Sequence, residues 1–164
     1  MTATPAIFKK SSDIAEYLTT VLQGVTKANG YKTDLGTTVY RGRLKHDEDR
    51  VPYAVLIEGE DRPQENDGGR LDITLEQDFV LGAYVHCNVD NPNDAAHDAI
   101  KDIKKAVFSS DLARRPIAGA RGANGRVAKL SYRGKDIGPR ADGKNIVFAV
   151  VHITVVFAEN LLEA

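Results

Sequence analysis

Every second residue from Leu71 to Val89 is apolar, with one exception. The series runs Leu71, Ile73, Leu75, Gln77, Phe79, Leu81, Ala83, Val85, Cys87, Val89. The intervening residues, among them Asp72, Thr74, Glu76, Asp78, His86 and Asn88, are mostly polar. A period of two is the mark of a strand with one buried and one wet face. At ~3.3 Å per residue such a strand would run roughly 60 Å, several times the usual length. It is therefore expected to bend near Gln77–Asp78 or Gly82, or to project its first half as an arm. The wet face argues against a central place in an all-parallel sheet.

The last third of the chain adds a different strand. Asn145 to Glu159 is apolar on both faces: Val147, Ala149, Val151, Ile153, Val155 and Phe157 on one, Ile146, Phe148, Val150, His152, Thr154, Val156 and Ala158 on the other. Two helices are available to cover it. Ser12 to Ala28 carries Ile14, Tyr17, Leu18, Val21, Leu22 and Val25 at helical spacing, with Asp13 and Glu16 resembling a capping box and Asn29-Gly30 as a stop. After the breaker Asn91-Pro92-Asn93-Asp94, a second stripe joins Ala96, Ala99, Ile100, Ile103, Val107 and Phe108, with Lys101, Lys104 and Lys105 outside. Two such helices cover one face of a five-stranded sheet, which leaves the second face to meet another subunit.

Shorter strands are expected over Thr37–Arg43, Val51–Glu58 and Val127–Asp136. The fold class is α+β: a mostly antiparallel or mixed sheet of about five strands, two helices on one face, one very long strand. At 164 residues the chain suits a single domain over residues 1–164, with residues 1–10 as a loose arm anchored at Ile7 and Phe8. No apolar run reaches the ~18 residues of a membrane helix, and Met1-Thr2-Ala3-Thr4-Pro5 lacks a signal core, so neither membrane nor secretion by that route is expected.

Charge is balanced globally, 22 basic against 23 acidic residues, which gives no general reason to expect nucleic-acid binding. Locally it is not balanced. Glu58 to Arg70 reads as a loop, and from Glu58 to Gly69 it holds Glu58, Glu60, Asp61, Glu65 and Asp67 against Arg62, net −4. Ser109 to Arg126 reads as a long glycine-rich loop with Arg114, Arg115, Arg121 and Arg126 against Asp111, net +3. Loops of that length in a compact domain are usually functional or disordered.

Catalytic and metal signals are weak. His46, His86, His97, His152 and the lone Cys87 have no ligand spacing, and adjacent strand residues His86 and Cys87 point to opposite faces. One cysteine excludes an internal disulfide. No phosphate-loop lysine follows Gly119–Gly125. Asp72, Glu76 and Asp78 share a face, an arrangement more common in solvated or partner-facing surfaces than in acid–base sites. No catalytic residue, cofactor or metal is expected.

Several phrases carry a resemblance. They are Ala28-Asn29-Gly30-Tyr31-Lys32-Thr33-Asp34-Leu35-Gly36, Val39-Tyr40-Arg41-Gly42-Arg43, Val51-Pro52-Tyr53-Ala54-Val55, the run from Asp94 to Phe108, and Tyr132-Arg133-Gly134-Lys135-Asp136-Ile137. Together with the element order, over about Ser12 to Glu159, they resemble the tail terminator (tail completion, or minor tail) proteins of long-tailed bacteriophages, the family of the lambda tail terminator. The resemblance implies a virion protein at the head-proximal end of the tail, assembled in the host cytoplasm. It implies a homo-oligomeric, six-membered ring that ends tube polymerisation and docks the head connector. The partners implied are the tail tube protein, a head–tail connector or head completion protein, and a sheath protein where the tail is contractile. DNA would pass through the ring without specific binding.

On that reading Glu60, Asp61, Glu65, Asp67, Asp72 and Glu76 are expected to face the lumen. Arg114, Arg115, Arg121, Arg126, Phe148, Val150 and His152 are expected at a subunit or partner interface. The alternative is a nucleic-acid-binding or processing protein that uses the arginine loop, residues 109–126; a small enzyme with scattered residues is a third class.

Overall fold

A computed structural model describes residues 6–43, 48–64, 71–113, 127–140 and 143–162. His46, Glu65, Asp67, Arg114, Arg115, Arg121 and Arg126 lie outside the described residues. The elements are α1 (Ser11–Gln23), β1 (Val39–Arg41), β2 (Tyr53–Pro63), β3 (Asp72–His86), α2 (Pro92–Phe108), β4 (Lys129–Ile137) and β5 (Ile146–Asn160). They build an α+β fold in which one mixed sheet, ordered β1-β2-β3-β5-β4, carries both helices on one face. Only β1 and β2 run parallel; every other pair is antiparallel.

β3 and β5 occupy the centre and pair without a register break from Asp72↔Asn160 to His86↔Ile146. The long strand therefore has no bulge against β5 at Gln77–Asp78 or Gly82. The irregularity sits in its neighbour instead: β2 shifts register between Glu58 and Asp61, opposite Phe79 and Gln77. The extra residues of a bulge are absorbed by the strand nearer the edge, so the doubly paired strand stays regular.

β2 also runs longer than its sequence suggests. Glu58 ends the expected strand, but Glu60 and Asp61 also belong to it and not to a loop, because β2 and β3 form an extended hairpin whose pairing reaches Pro63↔Leu75. Its exposed end imposes no burial on these charges, so pairing alone keeps it a strand.

The odd-numbered face of β3 and β5 meets the helices. Leu75, Phe79, Leu81, Ala83 and Val85 join Val147, Ala149, Val151, Ile153, Val155 and Phe157 in one core with Ile14, Leu18, Leu22, Ile100, Ile103 and Val107. Gln77, the polar exception in the alternation, is buried there. Its Oε1 accepts from Ser11 Oγ at 2.6 Å and its Nε2 donates to Gly59 O at 3.4 Å, tying the start of α1 to the bulge.

α1 is shorter than Ser12–Ala28. It ends at Gln23, and a separate short turn, Lys27–Asn29, is capped by left-handed Gly30 (φ 85°). Val25 stays buried although it lies beyond the helix. Asp13 does serve the helix start, but as an acceptor from the Lys9 and Lys10 N–H groups rather than as the cap itself. Phe8 anchors the N-terminal segment edge-on against Tyr17, whereas Ile7 is exposed. Phe108 is likewise exposed, not part of the buried stripe of α2. At 3.6 residues per turn it lies about 80° around the helix from Ile100, on the flank that faces β4.

Candidate functional site on the open sheet face

The even-numbered face of β3 and β5 carries no helix among the described residues. It divides into two zones along the strands. At the β1 end, Tyr53 stacks on Tyr84 (ring centroids 4.8 Å), Tyr84 packs on Phe148 (4.4 Å), and Tyr40 meets Tyr53 edge-on. Gly82 is required beneath this layer. A Cβ there would stand 2.6 Å from Val55 Cγ2 and 2.9 Å from Phe148 Cε2. Burial raises the Tyr84 phenol above its ordinary pKa.

The second zone is polar. Arg62, beyond the β2 bulge, grips Asp78 of β3 through two guanidinium nitrogens, at 2.9 and 3.4 Å. Thr154 of β5 donates its hydroxyl to Asp78 Oδ1 at 2.6 Å and accepts from Arg133 Nε of β4 at 3.1 Å. Four strands thus contribute to one chain of hydrogen bonds around a depression of about 400 Å³, with Val80 and His152 at its side. His152 Nε2 lies 3.1 Å from Asp136 Oδ2. The Arg62 guanidinium, then the Thr154 hydroxyl, hold Asp78 below the usual carboxylate range, and Asp78 raises Arg62 in turn. A carboxylate so occupied is a poor proton acceptor near neutrality. What the arrangement does well is fix a polar, pre-ordered surface around the depression.

The residues singled out in the sequence distribute over this face as follows. Phe148 is half-buried in the aromatic layer, Val150 is buried, and His152 borders the polar depression. Asp72 and Glu76 share the face but lie toward its other end, held by Asn160 Nδ2 (2.8 Å) and Gln64 Nε2 (3.3 Å). Phe148 and Asn160 are twelve residues apart on β5, roughly 40 Å at strand spacing. Glu60 and Asp61 are exposed on β2. Glu65, Asp67 and the four loop arginines lie outside the described residues. Sequence reasoning missed Arg62 and Thr154 as partners of Asp78, and Arg133 as a partner of Thr154; shared even-numbered parity of Asp78 and Thr154 was the available signal.

Among the described residues no group of three or more His, Cys, Asp or Glu side chains is placed to hold a metal. No helix there is long and apolar enough to cross a membrane. No family model matches the chain, and no curated protein matches it.

Proposed function

We propose that this chain is a structural virion subunit of the tail terminator kind. Copies form a ring at the head-proximal end of a phage tail tube, stop its polymerisation and present the docking surface for the head connector. The observation that carries this reading is the sheet face that no helix covers among the described residues, where β2, β3, β5 and β4 hold an aromatic layer and a cross-strand ion-pair network. A rigid, preformed surface of that kind suits repeated contact with protein. The resemblance of the Ala28–Gly36, Val39–Arg43, Val51–Val55, Asp94–Phe108 and Tyr132–Ile137 phrases points the same way.

In this reading the acidic end of the sheet, with Glu60, Asp61, Asp72 and Glu76, faces the central hole, because a basic lining would bind DNA phosphates by counterion release and slow passage. The arginine loop, residues 109–126, faces a protein partner. The test is to add the purified protein to tubes polymerising from the tube protein of the same phage and to image the ends. A ring of identical subunits on one end of tubes that cease to grow is the expected result. A single copy per tube, or no effect on tube length, overturns the reading. Reversing Arg114 and Arg115 to glutamate should abolish connector docking. If the wild-type protein instead binds duplex DNA with a steep salt dependence that this change removes, the nucleic-acid reading replaces the placement of the loop.

A further inference from the structure

The large apolar side chains that stand exposed are not on the open face. Among the described residues they are Ile7, Leu71, Val89, Phe108, Tyr132, Leu161 and Leu162, and five of the seven fall into two groups. The first group is a knob. Leu71 immediately precedes β3 and Leu161 follows β5, and the Leu161 N–H donates to Leu71 O at 2.8 Å. Leu162, 76% exposed, follows directly. Asp72 follows Leu71 and pairs with Asn160, while Glu159, two residues before Leu161 and on the same strand face, pairs with Ile73. The second group is a hollow of about 480 Å³ between α2 and β4, with Phe108 and Tyr132 as its apolar lining and Lys101, Lys104 and Lys105 around it. Lys104 Nζ sits 4.3 Å from the centre of the Tyr132 ring, so a cation and an aromatic face are already arranged together.

We propose that the leucine knob of one subunit seats in the lysine-rimmed hollow of the next, making a head-to-tail contact between copies of this chain. The signs are complementary: the Glu159 carboxylate lies beside the knob on the same strand face, and ammonium groups rim the hollow. The two patches do not satisfy each other within one subunit. Tyr132 pairs with Ile153, and Leu161 lies eight residues farther along the β5 direction, roughly 26 Å away at strand spacing. Two different patches that fit each other make a heterologous interface, which closes into a ring or continues as a filament. The inference rests on the ring reading above and names the contact that would build it.

The test uses the full chain with Cys87→Ala, mixing Phe108→Cys subunits with Leu162→Cys subunits and adding a short bis-maleimide, both free at high concentration and on tube ends. The expected product is a cross-linked pair containing one of each, absent when either variant is treated alone. Reversing Lys101, Lys104 and Lys105 to glutamate should weaken self-association by roughly tenfold or more, and Glu159→Lys in the same chain should restore part of it. Leu162→Asp is a second variant at a site too exposed to unfold the chain, and it should weaken association similarly.

A ring that forms without the mixed cross-link, and that tolerates both Leu162→Asp and the lysine reversal, overturns the contact and leaves the ring. A mixed cross-link with no closed ring, in solution or on tubes, keeps the contact and overturns the terminator reading. Neither cross-link nor ring overturns both. If the lysine reversal removes salt-dependent DNA binding while assembly is unchanged, the hollow belongs to nucleic acid and the proposal fails.

Discussion

Asp102 is where one substitution should do most to separate the helices. It lies on α2, 3% exposed, and its carboxylate accepts four contacts from the segment that follows α1. Oδ2 takes the Lys32 N–H at 3.0 Å, the Thr33 N–H at 2.8 Å and the Thr33 hydroxyl at 2.7 Å, and Oδ1 shares the Lys32 N–H at 3.2 Å. Hydrogen bonds to a charged acceptor contribute ~1.5–3 kcal/mol each, but they share one carboxylate whose burial opposes them. Lys32 is itself exposed, so water reaches some of the donors left behind. Asp102→Ala should therefore lose ~2–4 kcal/mol, less than the sum of its bonds.

Asparagine separates charge from geometry at the same position. Its carbonyl can keep the Oδ2 contacts, while its amide meets the Lys32 N–H donor to donor, so Asp102→Asn should lose only ~1 kcal/mol. Urea unfolding gives both values directly. In a thermal melt, with ~2–4 °C per kcal/mol at this chain length, the alanine variant should unfold roughly 4–16 °C lower. A loss below ~1 kcal/mol in Asp102→Ala would refute the reasoning, and so would an asparagine variant as unstable as the alanine one.

Three further outcomes follow from the core and the open face. Ile103→Ala should lose ~2–5 kcal/mol, because Ile103 is fully buried between α2 and the sheet; a urea melt showing less than about 0.5 kcal/mol would mean that the stripe packs elsewhere. Gly82→Ala should destabilise by ~1–3 kcal/mol, since its methyl would enter the space of Val55 and Phe148, and Phe148→Ala in the same chain should relieve much of that loss. Asp78 titrates below the ordinary carboxylate range because Arg62 and then Thr154 bind its charged form. Its contribution is complete above the unfolded value near about pH 4 and is lost as pH falls through the folded value. Urea midpoints of wild type and Asp78→Asn should thus differ at neutrality and converge as the pH falls below the ordinary carboxylate range; a gap that is constant with pH contradicts the ion pair.

The fold was legible where burial imposes a period. β3 alternates because one face is packed under helices and the other is not, and β5 is apolar on both faces because it lies at the sheet centre beneath the helices and beside the aromatic layer. The hairpin end of β2 was not legible. Glu60 and Asp61 are exposed strand residues, so only the pairing of this end with β3 reveals them. The end of α1 misled for the opposite reason. Val25 is buried by the loop that folds back, with Gly36 N–H on Val25 O at 2.8 Å, and its burial continues the helical stripe past the helix. Phe108 sits at the margin of its stripe, where spacing alone does not distinguish core from rim.

The candidate site shows a different limit. Parity along a strand tells which residues share a face, and it correctly grouped Asp72, Glu76 and Asp78, and separately Phe148, Val150 and His152. It does not tell which strands are neighbours. Asp78 meets Thr154 only because β5, not β4, lies beside β3, and Arg62 reaches Asp78 only because the bulge in β2 resets its register. The same strand order joins the two groups into one face whose ends differ. Tyr84 and Phe148 are opposite each other at one end, Asp72 and Asn160 at the other.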